Sequence, residues 1–194
     1  MAFDPAQIPS VVDKLDYTLG LSTAGVQQSV SRYPSSLQEQ IVGARFWMIS
    51  ITVCGRSKTA DKLLSIWMQS LAGRIFTLPH AALDTKIALT IPYPTQITAA
   101  ERVGDRQRFT LSQPVGNPAW IGRMIEINGR SVMVSAETSD SFEAYPVVPL
   151  PTLPYTLPQH GSFRLRLETG YYPHLMEDAV GINKTTIDCV EVPA

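Results

Sequence analysis

Residues 123–137 read RMIEINGRSVMVSAE, and few folds accept such a segment. Asn128 and Gly129 form the dipeptide preferred at the centre of a two-residue type I′ turn, where both residues need positive φ. A two-residue loop pairs Ile127 with Arg130 and Ile125 with Val132. Ile125, Ile127, Val132 and Val134 then share one face, and Glu126 and Ser131 share the other. The result is a hairpin with one apolar side to bury. Further strand-like runs, DTKIALTIPYP and RQRFTLSQP, recur with turn signals at roughly ten-residue spacing and predict a small barrel or sandwich between residues 88 and 148.

The earlier part of the chain changes pattern several times. KLDYTLGL, residues 14–21, alternates Leu15, Tyr17, Leu19 and Leu21 on one side, the period of a half-buried strand. The polar, Ser- and Gln-rich stretch that follows to residue 40 has no period and reads as a loop or arm. Residues 41–55, IVGARFWMISITVCG, place Trp47, Ile49, Ile51 and Val53 on one face and Met48, Ser50 and Thr52 on the other, predicting a long strand. Ala60, Leu63, Leu64, Trp67, Met68 and Leu71 then recur at three- and four-residue steps. With Ser57 as N-cap and Gly73 as C-terminal stop, the spacing predicts an amphipathic helix over 57–72. RIFTLP returns to an extended run. Near the C-terminus SFRLRLETG alternates Phe163, Leu165 and Leu167 against charged residues, and TTIDCVEVPA closes the chain as a strand of mixed alternation that burial on both faces would also suit.

The fold class expected is therefore mainly β with one helix (α+β). A β-sandwich belt domain carries the helix in residues 1–87 and is completed by 159–194, and an inserted small β-barrel with a proline-rich return spans 88–158. Trp47, Ile49, Ile51, Leu64, Trp67, Leu71, Ile125, Val132, Phe163 and Leu165 are the expected core. The run YPVVPLPTLPYTLPQHG, residues 145–161, is too apolar for a free tail; it reads as a stiff, ordered path back to the belt, packed by its leucines and tyrosines.

Composition narrows the function. Of 194 residues, 44% are hydrophobic and 17% charged, and sixteen Lys and Arg against seventeen Asp and Glu leave a net charge of -1. No basic cluster could neutralise a row of phosphates, so nucleic acid is a poor partner. No apolar run approaches the roughly 18–20 residues of a membrane span, and the start MAFDPAQIPS lacks the basic and apolar regions of a signal peptide. Synthesis and retention in a cytoplasm are expected unless a larger assembly carries the chain out. Cys54 and Cys189, each in a strand-like run, are expected as buried reduced thiols.

Chemistry-bearing motifs are scarce. CGRSKT, residues 54–59, resembles the end of a phosphate-binding loop, but Thr52 and Ser57 stand where glycines are needed. His80, His160 and His174 form no ligand pair and neither cysteine has a CxxC partner, so no metal or cofactor is expected. There is no Gly-x-Ser-x-Gly elbow, and Glu177 and Asp178 are adjacent instead of facing, so no catalytic residues are assigned. Among the aromatics, Trp120 in a Gly/Pro-flanked loop is the candidate exposed binding residue, with Tyr145 and Tyr155 beside it as a possible glycan platform.

The order of features carries more than any single residue. A polar arm, GARFWMISITV, a helix ADKLLSIWMQSLAGR running into IFTLP, an inserted β unit and a proline-rich return into GSFRLRL resemble tailed-phage distal tail proteins and related small tail-hub components. The matching steps are Leu71-Ala72-Gly73-Arg74-Ile75-Phe76 at the helix end, Pro149-Leu150, and Gly161-Ser162-Phe163. Pro151 stands where an arginine commonly follows, and Ile121-Gly122-Arg123 replaces the usual glycine-aspartate step, which leaves both the distal tail protein and a neighbouring adaptor open. The resemblance implies a non-enzymatic virion protein, made in the bacterial cytoplasm, whose belt forms a hexameric ring between the tail tube protein and the tail-tip or receptor-binding proteins. A carbohydrate-binding β module and a small hydrolase are the alternatives.

Overall fold

The computed structural model describes residues 12–22, 26–30, 37–41, 45–55, 66, 74–91, 94–114, 119–168, 176–177 and 183–192. In chain order the strands are β1 (Val12–Leu21), β2 (Val26–Val30), β3 (Leu37–Ile41), β4 (Trp47–Gly55), β5 (Phe76–Pro79), β6 (Gln96–Val103), β7 (Arg106–Leu111), β8 (Met124–Ile127), β9 (Arg130–Glu137), β10 (Ser141–Tyr145), β11 (Tyr155–Thr156), β12 (Ser162–Leu167), β13 (Met176–Glu177) and β14 (Asn183–Glu191). One turn of helix, α1 (His80–Leu83), follows β5. The protein is mainly β, as its alternating patterns predict.

β4 organises the first sheet because its alternation makes one face wholly apolar. Its neighbours meet it in register: Leu19 and Cys189 lie opposite Ile49, and Tyr17 and Ile187 opposite Ile51. The antiparallel order is β1-β4-β14-β12-β5, with β13 on β14. Trp47, Ile49, Ile51, Val53, Phe76, Leu78, Phe163, Leu165, Leu167, Ile187 and Cys189 form its buried inner face. The mixed alternation of β14 resolves to one buried face, in which Thr185 and Glu191 stand in line with Ile187 and Cys189. The long strand predicted over 41–55 begins only at Trp47, because Ile41 ends β3.

The second sheet, β11-β6-β7-β10-β9-β8, is a curled half-barrel. Register shifts between Ile97 and Ala99 and between Glu143 and Ala144 supply the bulges that bend it. The β8–β9 hairpin has the predicted register, and Asn128 and Gly129 have φ of 52° and 71°, the left-handed values a type I′ turn requires. Ile97, Phe109, Leu111, Trp120, Ile125, Ile127, Val132, Val134, Phe142, Val148 and Leu157 fill its interior. Phe142 stacks on Phe109 at 5.1 Å between ring centroids and meets Trp120 at 5.4 Å.

The half-barrel is entered and left along one path. In the run predicted as strand over 84–94, residues 85–87 form a turn, and Ala88 and Thr90 make isolated bridges to Met124 and His160. Met124 N–H donates to the Ile87 carbonyl, and Ile91 N–H to that of Gln159 at 3.0 Å. The outgoing and returning connections thus lie side by side. Across the open side of the curl, Asn128 N–H donates to Tyr155 Oη at 3.0 Å.

The proline-rich return is ordered by its backbone partners. Gln107, buried in β7, takes the place of a missing strand: its Nε2 donates to the Val148 carbonyl and its Oε1 accepts from Val148 N–H, both at 2.8 Å. Val148, Pro151 and Leu157 are buried. Leu150 and Leu153 are 57% and 41% exposed, so two of the leucines expected to pack it point outward.

Two other expectations change or fall outside the described residues. The polar stretch read as a loop contains the β2–β3 ribbon, with Val26 opposite Ile41 and Val30 opposite Leu37. A two-stranded ribbon need not bury a face of its own, so it leaves no apolar period to read. The helix predicted over 57–72, with Leu64, Trp67 and Leu71, lies outside the described residues except for Ile66. That residue is helical and exposed, as its position off the apolar stripe requires.

Candidate functional site: a buried polar joint between the sheets

Alternation that turns Ile125, Ile127 and Val132 into the half-barrel turns Glu126 and Ser131 the other way, toward the inner face of the first sheet. Ser131 is fully buried there and is held by four elements. Its N–H donates to Glu191 Oε1 of β14 at 2.7 Å. Its carbonyl accepts from Trp47 Nε1 of β4 at 2.8 Å. Its hydroxyl donates to the Ser162 carbonyl of β12 at 3.1 Å and lies 2.9 Å from His80 Nε2 of α1. Glu126 Oε2 accepts from both Ser162 N–H, at 3.0 Å, and Ser162 Oγ, at 2.9 Å.

An ion pair sits beside Ser131. Arg130 and Glu191, each 2% exposed, approach to 3.4 Å, and Arg130 Nη2 also donates to the Arg45 carbonyl at 2.7 Å. Burial pushes the Glu191 carboxyl above its ordinary range, while Ser131 N–H, Arg130 and Trp47 N–H pull it back. Since a guanidinium cannot lose its proton, an ionised Glu191 is the counter-charge this site requires at neutral pH.

His80 is 1% exposed, and burial lowers its pKa to about 4, with the Met124 backbone only partly offsetting the effect. Its ring meets Phe163 edge-on at 4.5 Å. Gly161 makes room for it, because a Cβ there would lie 2.6 Å from His80 Cε1 and 2.7 Å from Nδ1.

A serine beside a histidine invites comparison with an activated nucleophile, and the hydrogen-bond directions argue against it. A hydroxyl has one proton and a carbonyl can only accept. When Ser131 donates to Ser162, His80 Nε2 must donate to Ser131, the reverse of a general base. Among the described residues Nδ1 has no hydrogen-bond partner, and no carboxylate orients the ring. Both residues are closed to solvent. What the arrangement does chemically is fix the angle between two sheets.

The predicted binding aromatics do not gather into a platform. Trp120, expected in an exposed loop, is 5% exposed and lies in the half-barrel core, its N–H donating to Glu137 Oε2 at 2.8 Å; packing on Phe142 outweighs the loop-like Gly/Pro flanks. Tyr145 is half-buried against Trp47, and its hydroxyl donates to Met133 Sδ. Tyr155 is half-buried, its hydroxyl engaged by Asn128. Trp47, Ile49, Ile51, Ile125, Val132, Phe163 and Leu165 are all buried core residues, as expected.

Arg130, His80, Glu126, Ser131 and Glu191 were not singled out as a site by the sequence, although two signals existed. Register places Arg130 opposite Ile127 on an apolar face, and parity places Glu191 in line with Ile187 and Cys189. A charge at such a position needs a buried partner.

A groove of about 390 Å³ lies along β7, β9 and β10, lined by Arg108, Glu137, Asp140, Phe142 and Glu143 among others. Glu137 is engaged by Trp120 N–H, and Arg108 bonds Glu143 at 2.7 Å and Glu101 at 3.1 Å, so its charges are largely paired within the chain. Cys189 is a free, buried thiol pushed up to about 12 by burial first and Asp188 second. Cys54 lies opposite Lys184 in the register, not opposite Cys189. Among the described residues no group of three or more His, Cys, Asp or Glu could hold a metal, and no helix is long and apolar enough to cross a membrane. No protein-family model and no curated protein matches the chain.

Proposed function

We propose that the chain is a structural protein of a tailed-phage virion, a ring-forming hub at the distal end of the tail that joins the tail tube to the tail-tip or receptor-binding apparatus. The observation that carries this reading is connectivity. β1, β4 and β5 combine with β12 and β14 into one sheet, and the half-barrel leaves and re-enters through adjacent, hydrogen-bonded connections. In the proposed division, residues 1–87 and 159–194 form the belt that assembles, and residues 88–158 project from it.

Two features support a connector over an enzyme or a glycan-binding module. The polar side chains that converge at the joint are closed to solvent and fix geometry. Trp120 faces the core, which removes the main element of a sugar-binding surface. The β2–β3 ribbon supports self-assembly, because it pairs with no other strand among the described residues and isolated two-stranded ribbons are marginal in water. A ring needs different surfaces that meet head to tail and close by rotation. The hexameric number follows from the resemblance to distal tail proteins, as do the tail tube and tail-tip partners.

Size-exclusion chromatography with light scattering on the purified chain is expected to show a hexamer or a series leading to it, and negative-stain images should show rings. A monomer at high concentration, with no ring on the grid, overturns the reading.

A further inference from the structure

The half-barrel and the first sheet each have their own apolar cluster, and they meet where His80 is buried. Met124, Met133 and Tyr145 supply the apolar part of that meeting. The polar part is the set of bonds centred on Ser131. His80 Nε2 is committed to Ser131 Oγ, Nδ1 has no hydrogen-bond partner among the described residues, the ring edge is against Phe163, and Gly161 closes the space beside Nδ1. A second ring proton would therefore enter a buried site where the Met124 backbone only partly offsets the cost of the charge.

We propose that this joint is an acid-sensitive latch, in which protonation of His80 releases the half-barrel from the first sheet while each keeps its own core. The carboxylates around the ring are committed to other donors. Glu126, from β8, is committed to Ser162, and Glu191, from β14, to Arg130, Ser131 N–H and Trp47 N–H. Asp84, beyond α1, accepts from Tyr17 Oη at 2.8 Å. Arg130, from β9, is a cation already inside the same network, and a second cation would add to its field. Arg164, next to Phe163 in β12, alternates to the opposite face of the sheet.

The size of the effect follows from linkage. Taking His80 at its ordinary value of 6.5 in the open form and about 4 in the closed form, the open-to-closed ratio rises about 20-fold between pH 7 and pH 5. Glu191 acts in the opposite direction, because its buried carboxyl takes a proton more readily than a free one, so acidification through its own range favours the closed form.

Hydrogen exchange read at residue resolution on the full chain tests the proposal. The amides of Trp47 and Ser131 both donate to Glu191 and report the joint; Ile97 and Phe109 report the half-barrel core. After correction for the intrinsic pH dependence of exchange, the joint amides are expected to exchange up to about 20-fold faster at pH 5 than at pH 7, the opposing Glu191 contribution reducing the factor, with the core amides unchanged. His80→Gln, which keeps an N–H donor but cannot titrate, should flatten that response. A wild-type joint indifferent to pH, a core that opens in step with it, or an undiminished response in His80→Gln each overturns the latch. Should His80→Gln fail to fold, the wild-type comparison of joint against core decides alone.

Discussion

Phe142 in β10 and Ser131 in β9 sit on adjacent strands of the half-barrel, one turned into its interior and the other toward the first sheet, and both are buried. Around Phe142 the neighbours are rings and aliphatic chains, whose attraction has little direction. Around Ser131 nearly every contact is a hydrogen bond with a fixed donor, acceptor and angle. Apolar packing makes each sheet stable, whereas the polar joint selects one orientation between them. Phe142→Ala is expected to cost about 3–5 kcal/mol through the cavity it leaves. Glu191→Ala should cost a similar 3–5 kcal/mol by stranding Arg130 without its counter-charge. Urea unfolding measures both losses, and the Trp47 indole signal separates them: it should change at pH 7 in Glu191→Ala and stay native in Phe142→Ala. A native Trp47 signal in Glu191→Ala would break the distinction. Glu191→Gln keeps one acceptor for the Ser131 amide but also removes the counter-charge of Arg130, and should cost about 3 kcal/mol, the lower end of the same range.

Acid sharpens the same contrast, because His80 is the joint's own titrating base and the half-barrel core has none among its clustered residues. A base whose folded pKa is lowered holds its full contribution above the unfolded value and loses it as pH falls. For His80 the window runs from about 6.5 down to about 4, and the stability lost across it is about 3 kcal/mol before the opposing Glu191 contribution. Urea midpoints between pH 7 and 4 should fall in the wild type and fall less in His80→Gln. Equal slopes in the two proteins would remove His80 from the pH response. Gly161→Ala attacks the same ring by shape. A Cβ 2.6–2.7 Å from the imidazole forces His80 to shift, at about 1–3 kcal/mol, with the joint amides losing protection before the core amides.

The half-barrel was legible because its information is local. Asn128-Gly129 fixes a turn, the turn fixes register, and register assigns Ile125 and Val132 to one face. The joint is non-local: His80, Ser131, Ser162 and Glu191 come from four separate stretches, and apart from Glu191, a charge in line with Ile187 and Cys189, each by itself reads as an ordinary loop or strand residue. Trp120 failed for a related reason. Its Gly- and Pro-flanked surroundings describe the backbone, but Phe142, reached only through the sheet, decides where the side chain goes. The β2–β3 ribbon escaped notice because Ser and Gln carry no period even when their backbones pair.

The proline-rich return allows a final comparison within one short stretch. Leu157 is buried in the half-barrel core and its N–H donates to the Thr95 carbonyl at 2.9 Å; Leu153, four residues earlier, is 41% exposed. If the segment is held by Leu157, Val148 and the two bonds from Gln107, the outward leucines contribute almost nothing to the fold. Leu157→Ala should then cost about 2–5 kcal/mol. Leu153→Ser, alone or with Leu150→Ser, should stay within about 0.5 kcal/mol of wild type in urea unfolding. A loss of comparable size at Leu153 would mean that the return is held by its outer side as well. That would place both leucines in a packed surface in solution, such as the contact between neighbouring subunits of a ring, and the loss would then diminish on dilution to monomer.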